Sequence, residues 1–195
     1  MNVAIYSGSF NPIHNGHLAV AEAALAGWAE EVWLVVSPQN PLKKEGELWP
    51  FEDRLKMVEL ALSDEPKMKA SDCENHLPRP SYTINTLDFL QKTYPQHQFR
   101  LLIGGDNLAT FHRWKDYWRI IESFGLIVYP RSSGPAPSTE KHPNIYEIKG
   151  PLLEISSSEI RKSLSNNQSI HGLVSTEVED FILQKLKNDH STSVF

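Results

Sequence analysis

Short apolar runs alternate along the chain with longer segments of helical spacing. Val3-Ala4-Ile5-Tyr6 stops at Ser7-Gly8-Ser9, the pattern of a buried strand entering a tight loop. Residues 16–26 are mostly helix formers. Residues 31–36 read as a second strand closed by Ser37-Pro38, and a polar, proline-containing loop covers 39–50. Over 51–62, apolar residues at Leu55, Val58, Leu60, Ala61 and Leu62 predict an amphipathic helix. A helix is expected over 82–90, and strands over 99–103, 125–129 and 145–148. Residues 134–144, rich in Pro and Ser, read as a mobile loop. Helices over 159–164 and 177–186 close the pattern, with 191–195 expected to fray.

Strands separated by helices predict crossovers, hence an α/β fold with a Rossmann-like parallel sheet flanked by helices. One domain over 1–195 is expected, with a small C-terminal helical part over about 155–190. Such sheets bind ligands at the carboxyl ends of their strands, where the polar motifs of this chain fall.

Composition narrows the ligand. The 195 residues are 40% hydrophobic and 22% charged, an ordinary globular balance. A net charge of −5 disfavours nucleic acid as a partner but leaves room for a small anion held by a local basic cluster. Cys73 is the single cysteine, so no internal disulfide or cysteine-based metal site can form, which fits a reducing compartment. No segment approaches the ~18 apolar residues of a membrane span, and Met1 leads straight into the first strand. A cytoplasmic protein without a membrane partner is expected; an oligomer is left open.

The chemistry concentrates in Gly8-Ser9-Phe10-Asn11-Pro12-Ile13-His14-Asn15-Gly16-His17. Gly8 suits a tight turn close to a phosphate. Ser9 and Phe10 offer backbone amides, and a helix N-terminus there adds partial positive charge. His14 and His17 share a face if they share a helical turn. Two imidazoles beside amides suit an anion whose charge shifts during reaction. They also fit two ligands of a zinc ion, although no third ligand motif sits nearby, or a capping histidine beside a core one. Further along, Ser156 and Glu159 form a capping box, and its exposed amides, with Arg161 one turn in, suit either a helix start or a phosphate. Gly104-Gly105-Asp106 reads as a strand-to-helix turn with Asp106 as N-cap, or as a close approach to a ribose.

The first string resembles the (T/H)xGH signature of the nucleotidyltransferase superfamily. The ordered set of Pro80-Ser81-Tyr82-Thr83-Ile84-Asn85-Thr86-Leu87, Ile103-Gly104-Gly105-Asp106-Asn107-Leu108, Phe111-His112-Arg113-Trp114 and Ile155-Ser156-Ser157-Ser158-Glu159-Ile160-Arg161 resembles the nicotinate-nucleotide adenylyltransferase family, over nearly the whole chain. That resemblance implies adenylyl transfer from ATP to nicotinate mononucleotide, with Mg²⁺ carried by ATP and no tightly bound organic cofactor. It implies that His17, His14 and Arg161 stabilise the transferring phosphate. Ser7, Gly8, Ser9, Ile103, Gly104, Asp106, Arg131, Ser157 and Ile160 would complete the ATP site. The acceptor would meet Ser9, Phe10, Asn40, Lys44, Tyr82, Thr83 and Trp114, with backbone amides near Ile84 and Lys115 on the pyridine's carboxylate.

Two features depart from the family's pattern. Pro41-Leu42-Lys43-Lys44 stands where relatives carry a Pro-Pro-His-Lys-like string, and Asn11 stands where many bacterial relatives carry Asp. Asn11 reads as a loop-stabilising residue. Rival readings are another phosphorylated acceptor, such as nicotinamide mononucleotide, or an inactive nucleotide sensor. A class I aminoacyl-tRNA synthetase is disfavoured, because the chain has neither a KMSKS-like string nor room for a tRNA-binding domain.

Overall fold

A computed structural model describes residues 1–38, 48–129, 142–151 and 154–192. Its centre is a six-stranded, all-parallel sheet in the order β3-β2-β1-β4-β5-β6. The strands are β1 (Asn2–Gly8), β2 (Glu31–Val36), β3 (Met68–Ser71), β4 (Gln98–Gly104), β5 (Leu126–Tyr129) and β6 (Ile145–Glu147). The helices are α1 (Asn15–Gly27), α2 (Phe51–Ala61), α3 (Thr83–Thr93), α4 (Gly105–Thr110), α5 (Tyr117–Ser123), α6 (Ser157–Ser165) and α7 (Thr176–Thr192). Short 3₁₀ turns cover Cys73–His76 and Phe111–Arg113.

Alternation along the strands splits the core into two layers. Ala4, Leu34 and Ile127 face one apolar cluster with Val20 and Ala24 of α1, Met57 and Val58 of α2, Ile160 of α6, and Val178 and Ile182 of α7. Val3, Ile5, Leu101 and Val128 face the other, with Ile84, Leu87 and Leu90 of α3 and Ile120 of α5. The order reverses between β1 and β4, the topological switch point of a doubly wound sheet. There the two strands part early. β1 pairs with β2 as far as Gly8↔Val36, but with β4 only as far as Ile5↔Leu101. A crevice therefore opens at the carboxyl ends of β1 and β4.

Four elements depart from the pattern reading, one of them α5, which was not anticipated. β3 was not anticipated: Met68-Lys69-Ala70-Ser71 is short, mixed in polarity and at the sheet edge, so only Met68 is fully buried. α4 begins at Gly105 with Gly104 as its N-cap, which puts Asp106 inside the first turn and not at the cap. α7 continues to Thr192, beyond the end expected at 186 and into the segment expected to fray. Most of the loop expected over 134–144 lies outside the described residues, as do Asn40, Lys43, Lys44 and Arg131. Among the described residues no helix is long and apolar enough to cross a membrane.

Candidate active site

β1 delivers the chain to the crevice at Gly8, and the next six residues form the loop that leads into α1. Its sharp turn is taken by Phe10, in the left-handed region at φ 44°, and not by Gly8 as the sequence suggested. Gly8 is needed for space: a Cβ there would meet the Phe10 ring at 3.1 Å. Gly16 serves the histidine in the same way, since a Cβ would lie 3.0 Å from His14 Nδ1.

His14 is the N-cap of α1, with extended backbone, and His17 is the third residue of the first turn. They therefore meet across the cap and not within one helical turn. The rings stack at 3.7 Å, and His17 also packs edge-on to Phe10 at 5.1 Å. His14 is buried at 1% exposure, whereas His17 is half-buried. The His14 amide donates to His17 Nδ1 at 3.2 Å. The neutral His17 ring then carries its proton on Nε2, the nitrogen that can donate to a ligand.

Stacked rings present their nitrogens side by side and do not converge on one ion. Among the described residues no three His, Cys, Asp or Glu side chains gather to hold a metal. Cys73 offers no nucleophile, because burial pushes its thiol above the usual value.

α6 docks its N-terminus on this loop. Ser156 caps it, accepting from the Glu159 amide at 3.2 Å. Ser157 Oγ donates to the Pro12 carbonyl at 2.9 Å, and Arg161 Nη1 to the Asn11 carbonyl at 2.7 Å. Two helix N-termini, a histidine pair and a guanidinium thus meet at one loop, a combination suited to polyphosphate. Ile160 stands apart from the expected set: its side chain is wholly in the core, so only its backbone can reach a ligand. Ile103 is likewise buried, and Asp106 is exposed on α4.

A cleft opens on the other flank of the β1 end. Ser7, Gly8 and Ser37 line one side, and Ser81, Tyr82, Thr83, Arg113, Trp114 and Lys115 the other. Trp114 packs on buried Phe111, the ring centres 5.1 Å apart and the planes tilted by 48°. Lys115 Nζ lies 4.5 Å from the centre of the Tyr82 ring, a cation–π distance. Tyr82 is the N-cap of α3, and its carbonyl receives the amides of Asn85 and Thr86. The amides of Thr83 and Ile84 precede the first intrahelical bond and are available to an anion. Ile84's side chain is buried, so its amide is the part that can serve. The hydroxyls of Ser9 and Ser81 are buried and make no hydrogen bond among the described residues, as expected of groups a ligand completes.

Two residues that sequence reasoning missed hold these parts. Arg54 of α2, 1% exposed, donates to the carbonyls of Ser9, Ser37, Trp49 and Pro38. Its signal was a charge in phase with Met57 and Val58 on the buried helix face. Glu74, 2% exposed, accepts from Ser7 Oγ at 2.9 Å and Thr86 Oγ1 at 3.0 Å and also lines the cleft. Its partners lie 67 and 12 residues away along the chain, so no local pattern marks it. Asn11 is loop-stabilising as expected: it is buried, and its Oδ1 accepts from the Trp49 amide at 3.0 Å.

The cytidylyltransferase-like family matches residues 5–163 of the chain. A protein of Cytophaga hutchinsonii named probable nicotinate-nucleotide adenylyltransferase is 45% identical over 186 residues, covering 95% of this chain and 97% of that one. A protein of the same name from Bacteroides fragilis is 43% identical, covering 93% and 90%. Among solved structures, the Plasmodium falciparum nicotinic acid mononucleotide adenylyltransferase complexed with NaAD superposes with a TM-score of 0.78 at 25% identity, covering 96% of this chain and 97% of that one. By the span of the family match and by these full-length relatives, the chain belongs to the cytidylyltransferase-like family and, within it, to the nicotinate-nucleotide adenylyltransferases.

Proposed function

We propose that the protein joins ATP and nicotinate mononucleotide to give nicotinate adenine dinucleotide and pyrophosphate, as one nucleotidyltransferase domain. One observation carries this reading. The same strand end, Ser7–Gly8, lines the aromatic cleft and leads directly into the histidine loop. An acceptor lying in the cleft therefore has its phosphate beside the place where a triphosphate would sit.

The acceptor's 5′-phosphate is already an anion and attacks the α-phosphorus in line, and pyrophosphate leaves. No strong base and no covalent enzyme intermediate are needed, so catalysis is positioning plus charge stabilisation. His17 Nε2–H donates to the phosphoryl oxygens as charge builds, with His14 holding its ring. Ser157, Ser158 and Arg161 at the start of α6 take the leaving polyphosphate, and Arg131 adds a cation from outside the described residues. Ser7, Gly8, Ser9 and the backbones of Ile103, Gly104 and Ile160 frame the adenosine and phosphates, with Asp106 on the ribose. ATP enters as its Mg²⁺ complex, the ion held by phosphates and water. Trp114 and Tyr82 take the pyridine ring, Thr83 shapes the pocket, and the amides of Ile84 and Lys115 take its carboxylate. Ser9, Phe10, Asn40 and Lys44 serve the rest of the acceptor.

The test is steady-state turnover with ATP and either the acid or the amide mononucleotide. Formation of the dinucleotide from the acid form is expected. Tight ATP binding with no turnover on any phosphorylated acceptor would favour a nucleotide sensor instead. Replacing Trp114 by alanine removes a stacking partner worth ~1–3 kcal/mol. Initial rates should show the acceptor KM rising about tenfold while the KM for ATP moves much less.

A further inference from the structure

Glu74 is the one acidic side chain lining the cleft among the described residues, and no step above uses it. It is buried, and its Oε1 accepts from two neutral hydroxyls, those of Ser7 and Thr86. None of the ion pairs among the described residues includes it. Hydroxyls satisfy an oxygen without neutralising it, so a buried carboxylate left in this state is costly. A carboxylate is also a poor neighbour for an acceptor regarded only as a phosphate and a ring carboxylate.

The acceptor has a third charge. Its pyridine nitrogen is bonded to the ribose and is therefore quaternary, so the ring is a cation. Tyr82 and Trp114 line the same cleft as Glu74, and aromatic faces attract cations. Lys115, over the Tyr82 ring, and Arg113 supply positive charge for the anionic groups.

We propose that Glu74 is a specificity-determining residue that supplies the counter-charge for the pyridinium ring. The inference rests on the reading of the acceptor as a pyridine mononucleotide. It selects acceptors by ring charge, adding a full counter-charge to the weaker pull of the aromatic faces, which amide contacts to the carboxylate cannot supply.

The experiment compares nicotinate mononucleotide with its 1,4-dihydro form, which keeps the carboxylate and phosphate but has a neutral ring. Wild-type enzyme should favour the cationic form. Glu74→Gln keeps the size and an accepting oxygen while removing the charge. It should lower kcat/KM for the cationic form by about 10–100-fold and that for the dihydro form by less than about threefold. Thr86→Val removes one hydroxyl without touching the charge and should lower both alike. An equal loss on both forms in Glu74→Gln would mean a structural tie only and would overturn the proposal. If that variant does not fold, calorimetric binding to wild-type enzyme decides: a preference for the cationic form above about 30-fold, more than aromatic faces alone supply, supports the proposal, and a smaller one overturns it. Wild-type inactivity toward both forms would instead overturn the acceptor reading, and the proposal with it.

Discussion

His17→Ala should lower turnover by about 10²–10³-fold while leaving the protein folded. The two halves of that expectation have separate grounds. The ring is half-buried and sits in the first turn of α1, packed on His14, Phe10 and Tyr6. Alanine there keeps the helix, and the buried core beneath consists of Phe10, Ile13 and His14, which remain. What is lost is a donor whose proton is fixed on Nε2 by the His14 amide. A donor oriented before the reaction needs no reorganisation as charge develops, and that is where its effect on rate originates. His17→Gln keeps an N–H but not its aim, and should fall between the two. Pyrophosphate release gives kcat, and a thermal melt checks the fold. Near-normal turnover in a folded His17→Ala protein would remove His17 from the mechanism.

The sequence was most informative where a feature is local. β2 was expected over 31–36 and runs Glu31–Val36, because an unbroken apolar run ending in Ser-Pro leaves little choice of bounds. Half of the capping box expected at Ser156 and Glu159 formed: Ser156 Oγ accepts from the Glu159 amide, but the Glu159 carboxylate takes the Ser156 hydroxyl, at 2.8 Å, in place of its amide. The histidine loop was also legible, since its residues are neighbours in the chain. Legibility ended where position depends on the rest of the sheet. β3 has no period of its own and becomes a strand because β2 offers it an edge, from Val32↔Met68 to Val35↔Ser71. α5 has a short, mixed sequence and packs only because Ile120 and Ile121 find the second apolar layer. Gly8 marks the site for a reason the sequence does not show: the space serves a ring two residues on, and the turn falls on Phe10. Glu74 belongs to the cleft only once β1 and α3 are side by side, so the residue with the most distinctive chemistry there carried no sequence signal.

The largest stability effect should come from Arg54→Met. Arg54 has no carboxylate partner among the ion pairs of the described residues. Its Nη1 donates to Ser9 O and Ser37 O, both at 2.7 Å, its Nε to Trp49 O at 2.9 Å and its Nη2 to Pro38 O at 3.1 Å. Burial pulls the guanidinium below the usual arginine value, and four carbonyl dipoles offset the cost of keeping it charged. Methionine fills much of the same volume, so a cavity is not the main loss. The loss is four carbonyls left without their donor, in a region with little access to water. A cost of about 3–5 kcal/mol is expected, as when one side of a buried charged network is removed. Urea unfolding should show it as a lower midpoint at unchanged slope. Activity should fall further than the folded fraction does, because Ser9 O fixes the start of the loop that aims His17. Arg54→Lys separates charge from geometry: a single ammonium cannot span four carbonyls, so it should recover only part of both losses. An unchanged midpoint in Arg54→Met would mean that the loop is held by Asn11, Ser157 and Arg161 alone.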